Sequence, residues 1–83
     1  MTVEPTVEET TYIQRRGLTD TFKGWTETQR GAYLSVHRGH NRFAAIAEFL
    51  GLDVDVVRRE VKGMFGDLLW DQSNPDPTLH IRD

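Results

Sequence analysis

Between Trp25 and Met64, apolar side chains recur every three or four residues, interrupted twice by short stretches containing a glycine. That period marks amphipathic helices with one face turned to a core. The first such helix is predicted to begin after Trp25, where Thr26 and Gln29 have the spacing of a capping box. Ala32, Tyr33 and Val36 mark its inner face, and it is expected to fail at "HRGHN", where Gly39 can adopt the left-handed conformation. The second helix is expected to be capped by Asn41 and to bury Phe43, Ile46, Ala47 and Leu50 before Gly51 ends it. Asp53 is the expected cap of the third, whose apolar positions are Val57, Val61, Met64, Phe65 and Leu68. Gly63 and Gly66 weaken its last turns, so its end is expected between Lys62 and Asp67.

Beyond these helices, "LLWDQ" and "TLHIR" have the composition of strands, and "SNPDP" between them has that of a hairpin loop. Upstream the pattern is weaker. Residues 1 to about 11 combine glutamates with threonines and valines, a composition suited to a mobile arm. "TYIQR" favours a short strand until Gly17, and Leu18, Phe22 and Trp25 have the spacing of a short helix or turn. The predicted organisation is an N-terminal arm over residues 1–24, partly ordered as a short strand or helix, followed over 25–83 by three helices and a hairpin. That is a mainly α architecture with a small β-hairpin (α+β).

Composition narrows the function classes. With 83 residues the chain holds one domain at most, and its 37% hydrophobic and 28% charged residues are ordinary for a globular protein. It has no cysteine, which removes disulfides, thiolate zinc sites and cysteine nucleophiles together. His37 and His40 have the spacing of some ligand pairs, but Gly39 lies between them where a helix should end, so no metal site is expected. Ser35 and Ser73 have no activating neighbour in sequence, and there is no glycine-rich phosphate loop; neither an enzyme nor a cofactor is expected. No window approaches the roughly 20 apolar residues of a membrane span. The beginning "MTVEPTVEETT" is acidic, unlike a signal peptide, so the expected location is the cytoplasm without membrane contact.

"IAEFLGLDVDVVRREVKGMFGDLLW", from Ile46 to Trp70, resembles the winged helix-turn-helix family. Ile46 and Ala47 stand where the family has an apolar residue and Ala early in the second helix. Leu50, Gly51 and Leu52 match its turn, Asp53 its cap, and Val57, Val61 and Met64 its third helix. Leu68 stands where the family usually enters the wing through Gly, ahead of Leu69 and Trp70. A small Ala47 suits a close crossing of the second and third helices, and Gly51 lets the chain reverse within a few residues. The resemblance implies a three-helix winged helix-turn-helix domain that binds double-stranded DNA as a transcriptional regulator of prokaryotic, archaeal or phage type, with its third helix (about 53–66) in the major groove.

Carried over by position, the candidate DNA-binding residues are Arg38, Asn41, Arg42, Val54, Asp55, Arg58, Arg59, Lys62 and Arg82. Arg58 and Arg59 can pair bidentately with guanine, Val54 or Val56 can touch a thymine methyl, and Asp55 can accept from cytosine N4. Arg38, Asn41, Arg42 and Lys62 suit phosphates, and Arg82 lies on the returning strand. A plainer reading is also open: Arg58, Arg59 and Lys62 form a solvated face supported by an i to i+4 pair of Asp55 with Arg59. Arg15 and Arg16 can serve as a minor-groove arm or simply as a soluble turn.

Charge does not favour DNA uniformly. The formal net charge is -3. Residues 25–51 carry three arginines against two glutamates, 52–70 three cations against four carboxylates, and 71–83 one arginine against three aspartates. The alternative is therefore a winged-helix module that binds a protein, such as a regulator or polymerase, through Val54, Val56 and an acidic wing. Trp25 and Trp70 are expected in or half in the core. Phe49, Phe65 and Leu69 can form an apolar patch, and a homodimer would use the N-terminal segment or the first helix.

Overall fold

The computed structural model describes residues 3–82, so the expected mobile arm is seen from residue 3 and Asp83 of the acidic C-terminal segment lies outside the described residues. Among these residues the order is α1 (Val7–Arg15), α2 (Thr19–Gly24), α3 (Glu27–His37), α4 (Phe43–Leu50), α5 (Val54–Lys62), β1 (Leu68–Leu69) and β2 (His80–Ile81). The chain is mainly helical with one small antiparallel hairpin, in the register Leu68 with Ile81 and Leu69 with His80.

The first departure from expectation is α1, which occupies the segment where a mobile arm and a strand at "TYIQR" were predicted. Its cause is local. Thr6 Oγ1 accepts from the Glu9 N–H at 3.1 Å, and the Thr6 N–H donates to Glu9 Oε1 at 2.8 Å. This is a complete capping box, which satisfies two otherwise orphaned donors and outweighs the modest helix penalty of Thr10, Thr11 and Ile13. At the other end the Leu18 N–H reaches back to the Ile13 carbonyl and the Gly17 N–H to that of Gln14, with Gly17 at φ +69°. That pairing is a Schellman stop, which needs a left-handed residue. Ile13 then joins the same buried cluster as α3, α4 and α5.

The three later helices lie where the apolar period put them. α3 carries the expected capping box between Thr26 and Gln29 and is buried from Gly31 to Val36, so it runs through the middle of the core rather than along its edge. The N-cap of α4 falls one residue later than the expected Asn41. Arg42 is the N-cap and makes no side-chain cap bond, while the Asn41 carbonyl accepts from the Leu79 N–H at 2.7 Å. Asn41 thus joins the α3–α4 loop to the residue just before β2. Gly51 closes α4 at φ +69°, and Asp53 is the N-cap of α5, although its carboxylate makes no cap bond. α5 stops at Lys62, within the expected range.

α3 and α4 approach closely at Gly31. A Cβ on Gly31 would stand 2.7 Å from Leu50 Cδ2, so α3 and α4 meet where α3 has no side chain. α5 is held against the start of α3 by polar contacts: Thr26 Oγ1 donates to Glu60 Oε1 and Gln29 Nε2 to the Glu60 carbonyl, both at 2.9 Å. The residues of one capping box therefore also set the position of another helix. Leu68 and Leu79, fully buried, anchor the base of the hairpin, whose strands are shorter than the five-residue segments predicted. No helix among the described residues is long and apolar enough to cross a membrane.

Candidate nucleic-acid interface

α5 is fixed along one side. Val57 and Val61 are fully buried, and Val54, expected on the outer face, packs half-buried against the core. Residues 55, 59 and 62 follow at i, i+4 and i+7, so Asp55, Arg59 and Lys62 share the opposite, exposed face. Neither Arg59 nor Lys62 forms an ion pair among the described residues. Arg58 flanks this stripe. Its Cζ lies 5.4 Å from the Phe43 ring centroid and its Nη1 3.5 Å from Asp55 Oδ1. Asp55 therefore pairs with Arg58 at i+3 rather than with Arg59 at i+4. The contact is long and Asp55 is 86% exposed, so it constrains Arg58 weakly.

Arg58 and Lys62 border a groove of about 400 Å³ between α5 and the hairpin loop, with Phe43, Trp70, Asn74 and Pro75 on its other sides. Trp70 packs edge-on against both Phe43 and Phe65, at 5.6 and 4.9 Å between centroids. It is half-buried, as is Trp25, which sits against Tyr33 at 5.2 Å. Of the predicted apolar patch, Phe65 and Leu69 are exposed beside Trp70, whereas Phe49 lies elsewhere, half-buried and stacked on His40 at 4.8 Å.

The two arginines of "HRGHNR" do not stand free. Arg38 Nε donates to Glu9 Oε2 at 2.9 Å and its Nη2 to Glu9 Oε1 at 2.8 Å, a bidentate pair, and Nη2 also donates to the Glu4 carbonyl. The guanidinium beside Glu9 lowers the carboxyl pKa to about 2 against the opposing effect of burial, with help from the Thr6 N–H, and Glu9 in turn raises that of Arg38. His37 Nδ1 lies 3.4 Å from the same carboxylate. Arg38 therefore anchors α1, and its expected role as a phosphate contact is preempted in this arrangement. At the other end of the loop, Arg42 Nη1 donates to Asp76 Oδ2 of the hairpin loop at 2.8 Å.

The remaining candidates are placed as follows. Asn41 is half-buried and tied to Leu79 through its backbone; Arg82 is exposed, and its Nη1 donates to the Gly66 carbonyl at 3.3 Å. Arg15 and Arg16 end α1 rather than lead a mobile arm: Arg16 stacks its guanidinium 6.0 Å from the Tyr12 ring centroid and donates to the Arg82 carbonyl. Pairs of this kind join residues 29 and 34 positions apart, and nothing in either local sequence names the partner. Glu9 alone left a signal, the Thr6-to-Glu9 spacing of a capping box.

Among the described residues no group of three or more His, Asp or Glu side chains is placed to hold a metal ion. No protein-family model matches the chain, and no curated protein or solved structure matches it either.

Proposed function

We propose that this protein is a winged helix-turn-helix DNA-binding regulator without catalytic activity, with α3, α4 and α5 as its three helices and the β1–β2 hairpin as its wing. The bond between Asn41 and Leu79 supports that reading, because it joins the loop before the second helix to the residue that leads into the returning strand of the hairpin. The observation that carries the function is the outer face of α5, where Arg59 and Lys62 stand exposed and, among the described residues, unpaired on a helix clamped from behind by Val57, Val61 and Glu60. A helix held rigidly on one side and cationic on the other suits insertion into the major groove, with Arg59 facing base edges and Lys62 a phosphate.

The test is fluorescence anisotropy of a labelled mixed-sequence duplex at several salt concentrations. Binding whose log–log salt slope corresponds to about three or more phosphates supports the reading, and its loss in an Arg59→Glu, Lys62→Glu variant with unchanged unfolding locates the surface on α5. A second reading, a protein-binding module, is favoured by the exposed Phe65 and Leu69 beside the hairpin and by the net charge of -3. Absence of duplex binding even at low salt selects it.

A further inference from the structure

We infer that Asp76 is an internal stand-in for a DNA phosphate: its carboxylate occupies the phosphate subsite of Arg42, and the duplex must displace it to bind. This inference rests on the DNA-binding reading above. The Arg42–Asp76 pair differs in kind from the Arg38–Glu9 pair in the same neighbourhood. Glu9 is only 5% exposed and serves two helices, capping α1 and bracing the end of α3, so its removal from Arg38 would undock α1. Arg42 and Asp76 are 54% and 65% exposed, joined by a single 2.8 Å contact, with no second partner for either side-chain charge among the described residues. An exposed pair of this kind is worth little and exchanges readily.

Its location gives the exchange a consequence. Arg42 adjoins Phe43 and Asp76 lies between Pro75 and Pro77, and Phe43, Pro75 and Pro77 line the groove beside α5. Arg58 and Lys62 supply the groove's cations, and among the described residues no carboxylate lines it, Asp55 standing beside Arg58 at 3.5 Å but outside the lining. A phosphodiester entering there meets two cations and, at the adjoining Arg42, a third held by an anion of the protein itself. Carboxylate and phosphate compete for the same guanidinium donors. The loop that carries Asp76 is shaped by its own short-range bonds, with the Asp76 N–H donating to Asn74 Oδ1 at 2.9 Å and Ser73 to Asp71, so the loop does not depend on Arg42 for its turn.

The experiment is a double-mutant cycle on duplex affinity with Asp76→Asn and Arg42→Gln, measured by anisotropy at several salt concentrations, with urea unfolding of each variant as the folding control. Asp76→Asn is expected to tighten binding about three- to tenfold and to steepen the salt slope by roughly 0.9, the share of one additional phosphate contact. With Arg42 already Gln, most of that gain should vanish. An equal gain with and without Arg42 overturns the inference, because it would show only the loss of one repelling charge, and so does an Asp76→Asn variant that binds no tighter than wild type. Wild-type binding with the expected salt slope but no such coupling leaves the DNA reading standing and removes this one; no binding by any of the four proteins removes both.

Discussion

Substituting Glu9 by Gln removes one charge from a side chain that caps α1 and grips Arg38. Gln keeps the shape and an acceptor for the Thr6 N–H, so the change isolates the ion pair. The carboxyl pKa lies at about 2 against an ordinary value of 4.5, held down first by the hydrogen bonds from Arg38. A depressed pKa means that the stabilisation is complete above the unfolded value and is lost as pH falls through the folded one. At about 1.36 kcal/mol per pKa unit the shift corresponds to roughly 3 kcal/mol at pH 7. Arg38, 30% exposed, can recover some hydration when its partner loses charge, so about 2 kcal/mol is the expected cost. For a domain of this size that is a large share of a total near 4–12 kcal/mol and corresponds to a drop in melting temperature of about 8–16 °C. Urea unfolding followed by Trp25 and Trp70 fluorescence at pH 7, 5 and 3 measures it. The wild-type advantage should be full at pH 7, shrink below about 4.5, and fall to roughly half or less by pH 3. Equal stability of the two proteins at pH 7, or a difference that does not change between pH 7 and 3, refutes the argument.

Three further outcomes follow from the packing. Leu68→Ala, at a fully buried position under the hairpin, should cost about 2–5 kcal/mol in urea unfolding, whereas Leu69→Ala, on the exposed side of the same strand, should cost under about 1 kcal/mol. Gly51→Ala places a Cβ on a residue at φ +69° and should destabilise by about 1–2 kcal/mol despite the open space around it, measurable as a lowered melting temperature. Thr26→Ala removes both the cap of α3 and the hydroxyl that donates to Glu60; it should cost about 1–2 kcal/mol, and combining it with Glu60→Ala should cost less than the sum of the single changes.

The sequence made α3, α4 and α5 legible because each carries an apolar period and local end signals: the Thr26 cap and Gly39 at φ +99° for α3, Gly51 at φ +69° after α4, and Asp53 ahead of α5. α1 was not legible in the same way: the threonine-rich composition of that stretch and the β-branched residues of "TYIQR" pointed toward an arm and a strand, although the Thr6-to-Glu9 spacing of a capping box was present. The capping box is a three-residue signal, and it prevailed because Ile13 and Glu9 both found buried partners that no local pattern displays. Asn41 went the other way: its side chain suits a cap, yet its backbone carbonyl was claimed by Leu79, far along the chain.

For the candidate interface the division is sharper. Which residues of α5 face outward follows from helical period alone once Val57 and Val61 are taken as buried, so the exposure of Asp55, Arg59 and Lys62 was determined by the sequence. Which cations remain unpaired on that side of the molecule was decided only by the tertiary structure. Arg38 and Arg42 are four residues apart and chemically identical, and they meet Glu9 and Asp76 from opposite ends of the chain. Periodicity records how a side chain is oriented on its own element, whereas a charge pair depends on the distance between elements, which exists only after they have packed.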